Sequence, residues 1–163
     1  LAIQALILAG IKIQREQTIE LLDQLVIEGR QQKVTYKGVN VILDVAHNPQ
    51  AAERLAENLH ANGKIFAVCS VLNDKDWNAI VGKLASVFDT WFIGQINNNN
   101  RAANACQLLE MIKMKSLEGK VFESIEMAFQ NAYNSASPRD LIVVFGSFSC
   151  VASIMNLIEV QGF

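Results

Sequence analysis

The sequence predicts an α/β protein with a mostly parallel sheet, helices on both faces, and one antiparallel strand at the edge. Short runs rich in β-branched and aromatic residues alternate with helical patterns, the order that produces parallel strands joined by helices. Several runs are apolar on both faces, as strands between two helical layers are. A turn-forming Lys37-Gly38 pair predicts a hairpin, whose outer strand is the antiparallel one. The predicted strands are KVTY, NVILDV, KIFAVCS, TWFIGQ, GKVFES and DLIVVFGS.

Three of the helical patterns place apolar residues at the i, i+3, i+4, i+7 spacing of a helix that faces a core. We interpret these stripes as core rather than as parts of a site. They are Ala52, Leu55, Ala56 and Leu59; Trp77, Ile80, Val81, Leu84 and Phe88; and Phe148, Val151, Ala152 and Met155.

Residues 1–29 are predicted to form two further helices. Thr18 is a candidate N-cap for the second helix and Gly29 its C-terminal stop. Because Leu1 falls inside a helical pattern without a cap, we expect the chain to be part of a longer polypeptide. The predicted apolar face of the second helix is Leu21, Leu22, Leu25 and Val26.

Composition narrows the class of protein. The chain has 163 residues, of which 51% are hydrophobic and 18% charged, which is typical of a globular domain with a sizeable core. A net charge of −2 without any basic block argues against a nucleic-acid partner. Three widely separated cysteines without metal-ligand spacing predict a reduced, cytoplasmic protein. The apolar opening segment is too short to span a bilayer, so we expect no membrane partner.

Polar groups follow four of the predicted strands, at the edge where open α/β sheets gather their ligands. They lie at Asp44, in segments 73–76 and 95–101, and at Gly146-Ser147. No P-loop, dinucleotide-binding glycine motif, nucleophile elbow or metal-ligand cluster occurs in the sequence. The chain therefore does not carry a P-loop by itself.

The segment from Asp44 to Pro49 is the first candidate site. Asn48 before Pro49 predicts a sharp, capped helix start, whose free amides favour an anion, and His47 lies beside them. A plain capped turn explains the same residues equally well. His60 lies at a predicted helix end and is expected to be solvated.

Lys75 and Ser147 are the other candidates. Lys75 is placed in the first turn of a helix, where it opposes the helix dipole. It is either a solvated lysine or a cation aimed at a substrate carboxylate or phosphate. Ser147 follows Gly146 after a buried strand. It either caps the final helix or presents a hydroxyl to an anion.

Five motifs, in matching order, resemble those of folylpolyglutamate synthases and bifunctional dihydrofolate synthases, relatives of the muramyl-peptide ligases. DVAHNPQAA resembles the D-x-A-H-N-P motif, and EGR resembles PGR, with Glu28 in place of the proline. VLNDKDW resembles the D-K-D segment, RAANACQLLE the Arg-Ala loop, and VVFGSFSCVASIM the G-S-F segment. The resemblance covers roughly residues 1–160.

The resemblance implies a Rossmann-like C-terminal domain of an ATP-dependent ligase at 30–163, preceded at 1–29 by the last helices of an N-terminal P-loop ATPase domain. Such a ligase phosphorylates a pteroate or folate carboxylate with ATP, and the amino group of glutamate then attacks the acyl phosphate. Magnesium ligands are expected mainly in the N-terminal domain. A monomer is expected, and the 163 residues alone should be inactive.

Position by position, the resemblance assigns ATP contacts to Arg30 and Asp44. It assigns His47, Lys75 and Ser147 to the glutamate pocket, with His47 and Lys75 nearest the chemistry. Arginine suits phosphate or ribose oxygens, and a carboxylate suits ribose hydroxyls. Valine at position 45, where the family more often has glycine, fits the bacterial bifunctional subset.

Two alternatives remain. A receiver-like or flavodoxin-like regulatory module would have a similar fold. It would want an acidic pair after the first strand and a lysine after the last, where this chain has a lone Asp44 and Gly146-Ser147. A peptidoglycan-type ligase domain is the second alternative, and the GSF and DKD segments favour the folate branch over it.

Overall fold

The structure is a computed structural model that describes residues 2–23, 27–70, 72–97 and 99–161, without the side chains of residues 2, 21–23, 160 and 161. The helices are α1 (Ala2–Leu8), α2 (Arg15–Asp23), α3 (Pro49–Asn58), α4 (Trp77–Leu84), α5 (Ala105–Met114), α6 (Ile125–Ser135) and α7 (Phe148–Gln161). The strands are β1 (Gln32–Tyr36), β2 (Val39–Asp44), β3 (Ile65–Cys69), β4 (Thr90–Gly94), β5 (Gly119–Phe122) and β6 (Leu141–Phe145). All the predicted strands are confirmed.

The strands form one six-stranded sheet in the order β1-β2-β6-β3-β4-β5. Only the β1–β2 pair is antiparallel, and every other pair is parallel. The apolar β6 lies at the centre and is buried throughout, whereas β1 alternates between exposed and covered residues, as an edge strand does. The predicted fold class, with its antiparallel edge strand, is therefore confirmed.

The β1–β2 turn explains why β1 runs antiparallel. Lys37 and Gly38 both have positive φ angles, of 46° and 84°, which is the backbone of a two-residue type I′ hairpin turn. Val34 then pairs with Val41 in the register that this turn imposes.

Two hydrophobic cores cover the two faces of the sheet. On one face α3, α4 and α5 bury residues such as Leu55, Ile80 and Leu108 against the sheet. On the other face α6 and α7 bury Phe129 and Ile154. Helices on both faces are what the alternating pattern predicted.

The predicted core stripes of α3 and α4 are confirmed in their main positions, but the stripe of α7 is wrong in part. Val151 is buried, whereas Phe148 is 65% exposed and Ala152 is exposed. The buried face of α7 is instead formed by Cys150, Val151 and Ile154. Because most residues of this helix are apolar, their spacing did not show which face is buried. The packing of α7 against β6 and α6 determines that face.

Thr18 is not an N-cap, because α2 begins at Arg15. Its backbone N–H and its hydroxyl both donate to the carbonyl of Gln14, at 3.0 and 2.8 Å, so Thr18 lies within the first turns of the helix. The predicted apolar face of this helix lies outside the described residues: Leu25 and Val26 entirely, Leu21 and Leu22 by their side chains. Gly29 has a φ of 65°, but residues 24–26, between it and α2, are outside the description as well.

The three cysteines are free thiols. Burial raises the pKa of Cys69 well above its usual value and that of Cys150 to about 12, so both stay protonated at neutral pH. Within the described residues, no helix combines the length and the apolar character that crossing a bilayer requires.

Candidate active site

The polar groups predicted at the strand ends do lie side by side. Phe145, at the end of β6, is in register with Asp44 of β2 on one side and with Cys69 of β3 on the other. Cys69 is in turn level with Ile93 of β4. The loops that follow these strands therefore leave the sheet along one edge, where α/β domains bind ligands.

Asp44 joins the end of β2 to the segment that precedes β1. Its two carboxylate oxygens accept from the backbone N–H groups of Gln31 at 2.9 Å and Ala46 at 2.7 Å. Gln31 has a φ of 46°, a left-handed backbone that a non-glycine residue adopts only when its surroundings hold it there. Gly29 adds a second link, since its carbonyl accepts from the Val45 N–H at 2.8 Å.

Burial raises the pKa of Asp44, and the hydrogen bonds from Gln31 and Ala46 and the charge of Arg30 oppose that rise. The carboxylate is only 6% exposed. Each carboxylate oxygen has two acceptor sites, so both amide bonds leave room for hydroxyl donors.

A cavity of about 490 Å³ opens above this link, and we name it the arginine cleft. It brings Arg30 and Asp44 together, as predicted from the sequence. It also includes two residues on the exposed side of α3 that were missed, because the α3 pattern was interpreted only for its core stripe. The lining residues are Arg30, Gln31, Asp44, Gln50, Ala51 and Arg54.

Arg30 packs over the ring of Phe148, with its guanidinium carbon 5.9 Å from the ring centroid. This contact gives the exposed Phe148 a role at the edge of the sheet, since an aromatic face attracts a guanidinium. One wall of the arginine cleft is thereby held against the start of α7.

His47 is half-buried, and its orientation is set by one short contact. Nδ1 lies 2.7 Å from the carbonyl oxygen of Val45. Because a carbonyl only accepts, Nδ1 carries a proton and donates it to this bond. In the neutral ring Nε2 is then the unprotonated nitrogen, able to accept a proton or a hydrogen bond.

The helix start after His47 is built as predicted. Asn48 has extended backbone angles, and its side-chain oxygen accepts from the Ala51 N–H at 2.8 Å, with Pro49 as the first helical residue. His60, after the end of α3, is exposed as expected.

Lys75 is not in the first turn of a helix, because Asp76 is the N-cap of α4 and Lys75 precedes it in a turn. Its Nζ lies 3.0 Å from a carboxylate oxygen of Asp74, and Arg101 donates to the same oxygen. The hydrogen bond from Lys75 and that from Arg101 lower the pKa of Asp74. Lys75 also lines a cavity of about 270 Å³ beside the buried Trp77.

The sequence placed Arg101 in the polar segment 95–101 at the ligand edge but assigned it no role. The Asn73 N–H donates to the carbonyl of Arg101 at 2.8 Å, and Leu72 forms a bridge with Ala102. The loops after β3 and β4 are therefore tied together, which brings Arg101 to Lys75 across the sheet edge.

Ser147 caps α7. Its hydroxyl oxygen accepts from the Cys150 N–H at 3.1 Å and lies 3.0 Å from the hydroxyl of Ser149. Gly146 turns the chain with a φ of 121°, and a β-carbon there would meet the Ser70 carbonyl oxygen at 2.9 Å. No hydrogen bond or ion pair of the described residues joins any two of His47, Lys75 and Ser147.

A third cavity, of about 330 Å³, lies at the same edge on the side of α6 and α7, and its lining includes Ser70 and Ser124. In the described part of the chain, no group of three or more histidine, cysteine, aspartate or glutamate side chains could hold a metal ion. The fold and these cavities define an α/β domain whose polar and charged side chains collect at the carboxyl ends of its strands, where such domains bind ligands.

Comparison with known proteins narrows this class. The family described as "Mur ligase, glutamate ligase domain" matches residues 29–148. The dihydrofolate synthase/folylpolyglutamate synthase of Escherichia coli K12 is 35% identical over 163 residues, which are 98% of this chain and 37% of the relative. The chain thus spans about a third of the length of this curated relative. It belongs to the Mur ligase, glutamate ligase domain family.

Solved structures agree with this assignment. E. coli FolC in complex with ADP superposes with a TM-score of 0.86 at 35% identity, covering 99% of this chain and 38% of that one. A bifunctional folylpolyglutamate synthase/dihydrofolate synthase with Mn, AMPPNP and L-glutamate bound gives a TM-score of 0.80 at 32% identity, covering 91% and 36%.

Proposed function

We propose that this chain is the C-terminal part of an ATP-dependent ligase that joins L-glutamate to dihydropteroate, to folylpolyglutamate, or to both. The observation that carries the proposal is the arginine cleft, which is lined by two arginines and the carboxylate of Asp44 at the ligand edge of a glutamate ligase domain. The relatives named above support it, because they carry this activity in their names and one of them binds ADP.

The proposed reaction has two steps. A substrate carboxylate attacks the terminal phosphorus of ATP, forming an acyl phosphate and releasing ADP. The amino group of glutamate then attacks the acyl carbon, an amide bond forms, and phosphate leaves as the nitrogen loses a proton. A P-loop domain must cradle the phosphates, since the sequence has no P-loop of its own.

We propose that 30–163 form the ligase domain and that 1–29 end that preceding P-loop domain in the same polypeptide. The side chains of Leu6, Ile7 and Leu8 support this division, since all three are exposed although apolar. Without the P-loop domain, the isolated chain should not turn over ATP. We expect the complete enzyme to be a cytoplasmic monomer.

Within this enzyme Arg30 and Asp44 contact ATP. The remaining acceptor sites of Asp44 suit the hydroxyls of a ribose, and its low exposure makes such bonds strong. Arg30 supplies a fixed planar cation beside them. Magnesium would neutralise the phosphates, and we expect its ligands mainly in the P-loop domain.

Glutamate brings carboxylates and an amine, and Lys75, His47 and Ser147 are its proposed contacts. Lys75 and Arg101 both pair with Asp74, and Asp76 lies beside Lys75, so the four charges balance. Lys75 lines the cavity and is the cation proposed to meet a substrate carboxylate there. The unprotonated Nε2 of His47 suits a group that accepts a proton from the attacking amine. Ser147 holds the start of α7 in place and contributes mainly through that cap.

The test is glutamate-dependent ATP turnover by the complete enzyme, with dihydropteroate and with a folyl substrate. Asp44→Ala should raise the KM for ATP about tenfold, a loss of roughly 1.4 kcal/mol of binding. Lys75→Ala should raise the KM for glutamate by a similar factor, whereas Lys120→Ala, an exposed lysine on β5, should change neither.

The possible results test the residue roles, the folate substrate and the ligase activity separately. If both variants behaved as the wild type, the residue roles would be wrong. A wild-type enzyme that used only a muramyl-peptide substrate would replace the folate assignment with the peptidoglycan one. Labelling by acetyl phosphate, with no ligase activity, would support the receiver-like alternative instead.

A further inference from the structure

We propose that Gln50 and Arg54 recognise the base of the bound nucleotide; this rests on the function proposed above. Both residues are exposed and both line the arginine cleft. They are four positions apart on α3, so their side chains lie on the same face of the helix, one turn apart. The remaining lining residues already include the proposed ribose contact, Asp44.

The size of the cleft and the presence of the proposed ribose contact in it fit a base. A volume of about 490 Å³ is within the range of cavities that hold compact organic ligands. The Asp44 carboxylate lies in the same cleft, so the base attached to a ribose bound by Asp44 would lie in or next to it. The two arginines of the cleft outnumber this carboxylate and also suit phosphates, so the test below measures pyrophosphate binding beside ADP binding.

Arg54 is suited to stacking on a base because its guanidinium forms no ion pair with another described side chain. Among the described residues no ion pair includes Arg54, and its neighbour Glu53 pairs with Lys83 at 2.6 Å. Arg30 on the opposite wall already packs on Phe148. A free guanidinium presents a flat cation, which binds the face of an aromatic base.

Gln50 is suited to the edge of the base. Its amide offers a donor and an acceptor side by side, which matches the amino group and ring nitrogen of adenine. The guanine edge presents a carbonyl in place of that amino group, so the same amide should prefer adenine.

Hydrogen bonds hold the backbone of two segments that line the cleft. The N-cap bond from Ala51 N–H to Asn48 fixes the first turn of α3, where Gln50 lies. On the other wall, Asp44 accepts from Gln31 N–H. Lining residues that are held in place before the ligand arrives lower the cost of ordering them on binding, which favours selection of one base.

The decisive measurement is the binding of ADP and of pyrophosphate to the complete enzyme, by calorimetry or as competitive inhibitors of ATP turnover. Arg54→Ala should weaken ADP about tenfold and leave pyrophosphate within about twofold, because the lost contact is to the base. Arg54→Lys should not restore ADP binding, since lysine keeps the charge but lacks the plane. Gln50→Ala should reduce the preference for ATP over GTP about fivefold.

Arg139→Ala is the matched control, because Arg139 is an exposed arginine that lines a cavity at the opposite edge of the sheet. It should leave ADP binding, pyrophosphate binding and the ATP preference unchanged. All variants change exposed side chains, and thermal unfolding should show them folded within about 0.5 kcal/mol of the wild type.

Three results would overturn the inference. Equal weakening of ADP and pyrophosphate by Arg54→Ala would place Arg54 on the phosphates. Full rescue by Arg54→Lys would reduce its role to charge. Unchanged binding and base preference in the Arg54 and Gln50 variants would remove both residues from the site. Failure of the wild-type enzyme to bind ADP at all would instead reject the proposed function itself.

Discussion

Two buried aspartates show how one residue type serves two purposes in this protein. Burial raises the pKa of Asp44, so its charge is held at a cost at the ligand edge. The backbone hydrogen bond from Ser137 is the main reason why the pKa of Asp140 is lowered, helped by the Ser137 hydroxyl and by the Lys64 N–H, so this charge stabilises the fold. The aspartate with the raised pKa, Asp44, lies in the candidate site, whereas the aspartate with the lowered pKa, Asp140, stabilises the fold.

Asp140→Asn should therefore lose stability in a pH-dependent way. The folded pKa of Asp140 lies below the ordinary aspartate value of 3.8, so its contribution is complete above that value and disappears as the pH falls through the folded pKa. We expect the variant to be less stable by about 1–3 kcal/mol at pH 7 and the gap to narrow below about pH 4. Urea unfolding at pH 7, 5 and 3 measures this.

The exposed Glu57 on α3 offers a control for that experiment. Glu57→Gln should change the unfolding free energy by less than about 0.5 kcal/mol. A gap for Asp140→Asn that stayed constant from pH 7 to pH 3 would contradict the assigned role.

Among the elements, α6 packs its first residue directly against the end of β4. A β-carbon on Gly94, the last residue of β4, would collide with the backbone of Ile125 and lie 2.9 Å from the carbonyl carbon of Ser124. Only glycine lets the N-terminus of α6 pack directly on the strand end. The position of α6, and of the cavity beside it, depends on this one missing side chain.

Gly94→Ala should destabilise the protein by about 1–3 kcal/mol, because backbone atoms must move to make room. Gly82→Ala is the matched control: Gly82 lies within α4, and a β-carbon added there would have open space within 4 Å, so alanine should stabilise the helix by about 0.5–1 kcal/mol. Chemical denaturation of both variants provides the comparison. Equal effects of the two substitutions would rule out close packing at Gly94.

The N-cap of α3 should affect both the stability of this helix and the site, because α3 carries Gln50 and Arg54. Asn48→Ala and Asn104→Ala each remove an N-cap, of α3 and α5, and each should cost about 1 kcal/mol of stability. Only Asn48→Ala should also weaken ADP binding by the complete enzyme, because α3 carries the proposed base contacts. Unchanged ADP binding in Asn48→Ala, at reduced stability, would separate the cap from the site.

Across the whole molecule, we expect the two cores, and not the first helix, to supply most of the stability. Leu84, the last residue of α4, is fully buried, whereas Leu8 at the end of α1 is 88% exposed. We expect Leu84→Ala to cost about 2–5 kcal/mol and Leu8→Ala less than about 0.5 kcal/mol in this chain. Thermal or urea unfolding measures both. A large loss for Leu8→Ala would show that α1 packs on the ligase domain.

The sequence alone predicted more of the fold than of the site. The strands were found because each is a short β-rich run between turn signals, and the hairpin because Lys37-Gly38 favours a positive-φ turn. The cap at Thr18 and the core position of Phe148 were wrong, since a local pattern does not show where a helix begins or which side meets the sheet.

Part of the candidate site could not be predicted from the sequence, for a different reason. Lys75 was placed in a helix that starts two residues later, Arg101 was included only as the end of the polar segment 95–101 and without a role, and Arg54 was not chosen at all. Arg54 reaches Arg30 and Asp44 only through the turn between β2 and α3, and Arg101 reaches Asp74 only through the bridge between two loops. Such contacts depend on strand register, which no single motif contains.

By itself, the amino-acid sequence determined the alternation of strands and helices, the hairpin, the capped start of α3 and the motifs that mark the ligase family, because these follow from local backbone preference and chemistry. The tertiary structure alone decided that Asp44 holds Gln31 and that Gln50 and Arg54 share a cleft with Arg30. The physical reason is that burial, charge and hydrogen bonding at the sheet edge arise between residues that only the packing of strands and helices brings together.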